Sequence, residues 1–455
     1  MRQKAGSFIL FLSKATLVFA ILAIFFFGQR FYYEDTLYYF WGNNIVLLLY
    51  TAMLYLTSRI YNGFTHGNAS IQDIIVSWVL CLIIVNAFIY LTLSLLVTFM
   101  LPVGGFIVIF LVQVAFVIPM SIIINVFYYM QNPALSTILI YGDIEKLQIY
   151  RRMITKQRRK FKVAGVVSQH ENIGPLLDAI NNVKAVFFLD VEEVKQEGLL
   201  EYCYLNDKHT YVLPSFSKIL LNAAGTIWLS DTPAFSLKKP PPDFATQMVK
   251  RLIDIILSLT SIIITSPIMI IIYLSVRLYD RHPAIYKQTR MTKNGRLFTL
   301  YKFRSMRPDA EDDGVPRLTS KDDDRITPVG HVIRRTRLDE LPQLFNVLSG
   351  AMSLVGPRPE RPEIAEQYEQ ACPNFAFRTK VKAGITGFAQ IYGRYNTSPE
   401  EKLFLDIMYI EKFSILQDLK LMLQTVKVLF QGSSTEGIKD GVTALDEERK
   451  DKNHR

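Results

Sequence analysis

Between Met1 and Met130 the chain carries eight charged residues, Arg2, Lys4, Lys14, Arg30, Glu34, Asp35, Arg59 and Asp73. The apolar runs between them are each about as long as the ~20 residues that a bilayer core demands. This pattern predicts four spanning helices, at 9–28, 41–58, 74–98 and 104–128, with Lys14 near enough to one end to snorkel and Pro102-Val103-Gly104-Gly105 as a tight turn. No small-residue cleavage site ends the first run, so it is expected to stay in the protein. Arg2, Lys4 and Lys14 precede the first span, and Lys146, Arg151, Arg152, Lys156, Arg158, Arg159 and Lys160 follow the fourth. The positive-inside rule therefore places both ends of the 1–130 module in the cytoplasm. No Asp, Glu or His chain runs through the spans, and Asp73 lies at a boundary. An ion or proton path has little support, and the module reads as an anchor or assembly surface.

Half of the residues are hydrophobic and 20% are charged, which suits a membrane protein with substantial soluble parts. Cys81, Cys203 and Cys372 stand far apart and six histidines are scattered, so neither a disulfide framework nor a zinc site is expected. Residues 131–235 alternate β-rich runs (Thr137–Tyr141, Phe161–Val167, Lys184–Leu189, Thr210–Leu213, Thr226–Leu229) with helix-like stretches, the signature of βαβ units and a Rossmann-like, mostly parallel sheet. The first run leads into Gly142-Asp143-Ile144-Glu145 rather than G-x-G-x-x-G, so dinucleotide binding is not expected there. Lys238-Lys239-Pro240-Pro241-Pro242 then reads as a stiff basic linker, 236–249, because consecutive prolines favour an extended chain.

From Leu252 to Tyr279 the chain is again apolar for long enough to span, yet Ser266-Pro267 sits at the centre, where a proline removes a helical hydrogen bond. Lys250 and Arg251 flank this run on one side, and Arg277, Arg281, Lys287, Arg290 and Lys293 on the other. Both ends are thus asked to lie in the cytoplasm, which a single crossing cannot satisfy. A helix–break–helix hairpin over 252–279, entering and leaving by one face, is the expectation, and a kinked spanning helix is the rival. Between Lys238 and Arg307 stand thirteen Lys and Arg against Asp243, Asp254 and Asp280, a surplus of ten that equals the net charge of the whole chain. A basic surplus beside a membrane-embedded segment points to anionic headgroups and phosphorylated ligands rather than nucleic acid.

The chemistry-bearing groups follow: Tyr301-Lys302-Phe303-Arg304-Ser305-Met306, Asp324-Arg325-Ile326-Thr327, Arg334 through Gln343, and Leu354-Val355-Gly356-Pro357-Arg358-Pro359-Glu360. Asp339 and Glu340 are expected to open a helix, with Leu341, Leu344, Phe345 and Leu348 on its apolar face. An N-terminal carboxylate pair can be mere capping. The arginines just upstream argue for more, since a carboxylate attacking phosphorus needs cations to neutralise the phosphate oxygens. Adjacent carboxylates can also hold Mg²⁺. Arg358, held extended between Pro357 and Pro359, suits presentation of a guanidinium to phosphate or nucleobase. The glycines of Lys382 to Gln390 allow close backbone approach. Ile415, Leu419, Met422, Val426 and Leu429 predict an amphipathic helix that packs on the core or lies on the membrane surface, with core contact the favoured reading. The acidic stretch Asp309–Asp324 reads as solvated or a lid, and 433–455 as a disordered tail.

Together these motifs resemble the bacterial sugar transferases, the monotopic phosphoglycosyl transferases that act on polyprenyl phosphate, over Arg251 to about Gly432. The four spans and the Rossmann-like domain ahead of a catalytic domain at 250–432 resemble the long members, which prime exopolysaccharide, capsule or O-antigen synthesis. The fold class expected is thus a membrane α plus α/β protein, with a four-helix transmembrane module, a Rossmann-like middle domain and an α-rich catalytic domain carrying a re-entrant hairpin. The resemblance implies that a UDP-sugar gives its sugar-1-phosphate to Asp339 with release of UMP, and that undecaprenyl phosphate then receives it. It implies Glu340 as metal ligand or base with Mg²⁺, Arg334 as an active-site arginine, Arg251 as a lipid-phosphate contact and Pro357-Arg358-Pro359 at the uridine end. It assigns Lys302 and Arg304 more loosely to phosphate, and places the enzyme at the cytoplasmic face of the inner membrane, with lipid contact and room for a homo-oligomer. One departure stands out: where the family often shows Gln-x-Arg-x-Gly, this chain has Gln288-Thr289-Arg290-Met291-Thr292. A flippase of lipid-linked sugars would need polar residues in the spans, and a nucleotide-sugar-modifying Rossmann enzyme would need the glycine fingerprint that the middle domain lacks.

Overall fold

The computed structural model describes residues 2–33, 42–67, 69–237, 243–310, 323, 325–393 and 397–429. The proline-rich linker at 238–242, most of the acidic stretch and the tail lie outside them. The chain divides into two compact units, Met1–Pro214 and Ser215–Arg455.

The first unit opens with four helices, α1 (Arg2–Tyr33), α2 (Gly42–Ile60), α3 (Ile71–Val97) and α4 (Val103–Gln131). Of these α1, α3 and α4 are long and apolar enough to cross a membrane, while α2, which covers the expected 41–58 span, opens on Gly42-Asn43-Asn44 and falls short of that mark. Leu17, Tyr50, Trp78, Ile89 and Val117 are among the buried side chains at their common core. A polar knot ties all four: the Gln113 amide donates to Tyr50 Oη (2.9 Å) and to the Ile21 carbonyl (3.2 Å), and Asn86 donates to Gln113 Oε1 (2.8 Å). Where lipid offers no competing partners, such bonds fix how helices pack. Asp73 is spent on a reciprocal cap with Ser70 at the start of α3.

A parallel sheet of order β2-β1-β3-β4 follows, built from β1 (Leu135–Tyr141), α5 (Ile144–Lys156), β2 (Phe161–Ser168), α6 (Ile173–Asn181), β3 (Ala185–Leu189), α7 (Glu193–Leu205) and β4 (His209–Val212). The hydrophobic alternation was a true guide to these four strands. Gly142, at the end of β1, is needed by the protein itself: its N–H donates to the Leu189 carbonyl, and a Cβ there would lie 2.1 Å from the Asp190 carbonyl oxygen.

The second unit begins with α8 (Phe216–Ala223) and a hairpin of β5 (Gly225–Leu229) and β6 (Thr232–Ser236). The fifth β-rich run therefore pairs antiparallel with β6 instead of joining the parallel sheet, a correction of the sequence reading. The connection after it is two residues, far too short for a parallel crossover.

Helix α9 (Phe244–Asp280) is 37 residues long, and helix continues through Ser266-Pro267. No interruption of the helix stands where a break was expected. Pro267 cannot donate to the Ile263 carbonyl four residues back, and the Ser266 hydroxyl donates to that same carbonyl (2.8 Å) instead. Towards its start, Arg251 donates to the Val347 and Leu348 carbonyls, and Asp254 accepts from Leu354 N (3.0 Å). Towards its end, Ile272 and Val276 pack with Ala284, Phe303 and Ile333, with Leu338 and Leu341 against them. The stretch between exposes Ile263, Ile264, Ile270 and Ile271.

The rest is a compact α-rich domain: β7 (Ile285–Met291), β8 (Leu297–Phe303), α10 (Pro328–Arg335), α11 (Gln343–Leu348), β9 (Ser353–Val355), α12 (Pro362–Ala371), β10 (Gly384–Thr386), α13 (Phe388–Tyr392), α14 (Pro399–Glu411) and α15 (Ile415–Leu429). β7 and β8 form an antiparallel hairpin whose strands run through Gln288-Thr289-Arg290-Met291 and turn at Lys293–Gly295, where Asn294 and Gly295 take positive φ. The glycine missing at 292 is thus supplied three residues later, and Thr292 uses its hydroxyl to donate to the Ala351 carbonyl and accept from Ala383 N. On α15 the buried residues are Asp418, Leu421, Gln424 and Val428, whereas Leu419 and Val426 are exposed. The expected apolar stripe is therefore rotated, because Asp418 is drawn inward by Lys250 and by Tyr409 Oη (2.9 Å).

Candidate active site

Asp339 and Glu340 lie in a short 3-10 turn, Leu338–Glu340, rather than in the first turn of α11, which starts at Gln343. Arg337 enters that turn at φ 56°, a left-handed conformation that costs an L side chain about 1–2 kcal/mol. Leu338 and Leu341, on either side of the pair, pack into the apolar cluster at the end of α9, so the carboxyls are carried on a rigid base. Asp339 is 9% exposed.

Cations reach the pair from three elements. Lys302, on β8, places Nζ 2.7 Å from Glu340 Oε1, and Arg358 places Nη2 3.2 Å from the same oxygen. Arg334, in the last turn of α10, donates to Ser305 Oγ (3.4 Å) and lies within electrostatic reach of Asp339. Burial pushes the Asp339 carboxyl above the ordinary range, with the Lys302 charge opposing and the Glu340 charge adding. Burial acts on Glu340 in the same sense, but Lys302 and Arg358 outweigh it and hold that carboxyl well below its ordinary value. Two adjacent carboxyls pushed in opposite directions are suited to different roles.

Arg358 belongs to a strap, 355–360, in which every carbonyl accepts a hydrogen bond. Val355 O takes Tyr409 Oη (3.1 Å), Gly356 O takes Gln390 Nε2 (3.4 Å) and Pro357 O takes Gly384 N (2.8 Å). Arg358 O takes Arg378 Nη2 (2.9 Å), Pro359 O takes Arg290 Nη1 (3.0 Å) and Glu360 O takes Met291 N (3.1 Å). Gly384 and Gly356 are pressed together, since a Cβ on Gly384 would lie 2.1 Å from Gly356 N. The glycines of 384–387 thus serve approach of backbone to backbone. Beyond the strap opens a shallow cleft lined by Met291, Pro357, Arg358, Glu360, Phe375 and Arg378, among others. Arg358 borders both the cleft and the carboxylate pair.

The other expected site residues stand elsewhere. The Arg304 guanidinium pairs with Asp280 at the end of α9, and Arg251 closes the C-terminal end of α11 through the Val347 and Leu348 carbonyls. Both contacts are with the protein's own groups. Conversely, sequence reasoning passed over Arg378 and Asp406. A signal was present for both: a lone charge within Phe375-Ala376-Phe377-Arg378 and within Leu403-Phe404-Leu405-Asp406-Ile407, apolar runs that must pair any charge they bury. Among the described residues no group of three or more His, Cys, Asp or Glu could hold a metal. An ion at this site would find the carboxylates of Asp339 and Glu340 alone, with Glu340 Oε1 already meeting Lys302 and Arg358.

The site is thus a carboxylate pair ringed by cations, on an α-rich domain tied to a helix long and apolar enough to cross a membrane. A family profile described as Bacterial sugar transferase matches residues 245–432. The chain is 40% identical over 203 residues to the UDP-glucose:undecaprenyl-phosphate glucose-1-phosphate transferase of Escherichia coli, covering 44% of each chain. It is 37% identical over 201 residues to the undecaprenyl-phosphate galactose phosphotransferase of Salmonella typhimurium, covering 41% of each. It is also 37% identical over 187 residues to the exopolysaccharide production protein PSS of Rhizobium leguminosarum, covering 39% of this chain and 94% of that one. The chain belongs to the bacterial sugar transferase family. It spans about half the length of the longer relatives it matches.

Proposed function

We propose that this protein moves a sugar-1-phosphate from a UDP-sugar to undecaprenyl phosphate, by way of a phosphosugar held on Asp339. Support comes above all from the opposite environments of Asp339 and Glu340 beneath Lys302, Arg334 and Arg358. Relatives of the same family are named for glucose, galactose and N-acetylgalactosamine phosphate transfer to undecaprenyl phosphate. The Asp339 carboxylate attacks the phosphorus that bears the sugar, the bond to the α-phosphate oxygen breaks, and UMP leaves. A phosphate oxygen of the lipid then attacks the same phosphorus, and the bond to Asp339 breaks. Lys302 and Arg358 neutralise charge on the donor's phosphates, and the cleft beside Arg358 takes the nucleoside end. Glu340, kept ionised, holds those two cations in place. Mg²⁺, if bound by Asp339 and Glu340, supplies further neutralisation of the diphosphate.

The lipid must meet this site at the bilayer. Arg251 and Ile272 would stand about 32 Å apart on a straight helix, yet the first binds Val347 and Leu348 while the second shares a cluster with Leu338 and Leu341. Leu341 and Val347 are only about 9 Å apart along a helical path. Both ends of α9 thus pack on one small domain, which supports bending at Ser266-Pro267 and re-entry through one membrane face. With the flanking cations, that favours the cytoplasmic side of the inner membrane, where nucleotide sugars are made.

Incubating the protein with radiolabelled UDP-glucose, UDP-galactose or UDP-N-acetylgalactosamine and no lipid should leave label on the chain, with UMP released in equal amount. Asp339→Asn should not label. Full turnover by Asp339→Asn would sink the covalent route.

A further inference from the structure

Arg378 is 5% exposed, and it is held by two acids. Its Nη1 donates to Glu360 Oε1 (3.2 Å), and its Nη2 lies 2.7 Å from Asp406 Oδ2, on α14, where Asp406 is 1% exposed. Lys402, one turn earlier on α14, stands 3.9 Å from Glu360. A buried network of two acids and two bases is a poor device for stability, because desolvating the charges offsets most of their attraction and well-packed apolar residues do as well. Its contacts point to another role. The same Nη2 donates to a main-chain carbonyl, that of Arg358, whose own side chain reaches Glu340.

We propose that Arg378, backed by Asp406, is a positioning residue that fixes Arg358 against the carboxylate pair and the donor cleft. This rests on the reading of Arg358 as a contact to the donor's phosphates. An arginine extended between two prolines has a stiff backbone but needs its peptide plane set, and a carbonyl locked by a buried guanidinium sets it. Asp406 makes that lock responsive to pH. Burial pushes its carboxyl up to about 6, with Arg378 and Lys402 opposing and Glu360 adding. Below that value Asp406 takes a proton, its attraction for Arg378 fades and the hold on Arg358 loosens.

The test uses the full chain in nanodiscs, with kcat and KM for UMP release measured from about pH 5 to 8 on whichever UDP-sugar the wild type turns over. Arg378→Lys keeps the charge but cannot bridge both carboxylates and the carbonyl, and is expected to lower kcat/KM about ten- to a hundredfold. Adding it to Arg358→Ala should cost nothing further, and isosteric Asp406→Asn should remove the acid limb near 6. Losses that multiply in the double variant, or a limb unchanged in Asp406→Asn, overturn the proposal. Should the wild type release UMP from no UDP-sugar, the proposed reaction fails on its own, and hydrogen exchange at the Gly384 amide, which bonds the Pro357 carbonyl, still reads the strap. Faster exchange there in Arg378→Lys or Asp406→Asn upholds the positioning role, and unchanged exchange in both defeats it.

Discussion

At Asp339 burial gives the proposed covalent route a pH signature. The carboxyl must be ionised to attack, and it is held above the ordinary value near 3.9, so kcat/KM will fall on the acid side at a higher pH than an exposed aspartate would give. Lys302→Met removes the largest charge opposing that shift and is expected to move the limb upward, which a pH profile measures. Glu340 has the opposite sign: its folded value lies below its ordinary 4.5, so the stability it contributes is present above about 4.5 and lost as pH falls through the folded value. Melting curves of wild type and Glu340→Gln should therefore differ at pH 7 and converge in acid. Arg358→Ala removes one of the two cations on Glu340 and is expected to lower kcat/KM by about a hundredfold or more, read by UMP release. The gathering of Lys302, Asp339, Glu340 and Arg358 was legible because they lie in compact mixed-charge motifs. Arg251 and Arg304 look the same in sequence, yet their guanidinium groups meet a helix end and Asp280. Residue type alone does not separate a cation that gathers at the carboxylate pair from one that meets a helix end or a distant acid.

Among the elements α9 depends on a single substitution of one hydrogen-bond donor for another. Ser266 supplies to the Ile263 carbonyl what Pro267 withholds, and it does so beside exposed isoleucines, where no water offers a replacement. Pro267→Leu restores the ordinary backbone bond and favours a straight helix. If α9 bends as proposed, this substitution should separate the two ends from their shared domain, lowering UMP release at least tenfold and placing a cysteine beyond Asp280 on the opposite side of the membrane from Arg251 in accessibility labelling. The run of apolar residues announced this helix, and the proline marked its weak point, but continuity of the helix through 267 depends on a serine rotamer that pattern does not reveal. The rotated face of α15 has a similar origin: Lys250, 168 residues away in sequence, pulls Asp418 inward, and no periodicity records a distant ion pair. The β5–β6 hairpin was half legible, since Pro233 disguises β6 as loop.

On the scale of the molecule, the family match at 245–432 lies wholly within the second compact unit. A chain beginning at Ser215 should therefore label with UDP-sugar in detergent at a rate within a few-fold of the full protein. Loss of all labelling would mean that the first unit takes part in the reaction. The bundle and the parallel sheet of that unit were readable from hydrophobic period alone, whereas its polar knot at Gln113 joins residues from four helices and was not. The bare isoleucines at the middle of α9 carry a last physical consequence. If α9 bends and re-enters as proposed, it adds area to one leaflet only and acts as a wedge, so lateral pressure in that leaflet works against it. Bilayers rich in cone-shaped or loosely packed lipid should then seat the protein best.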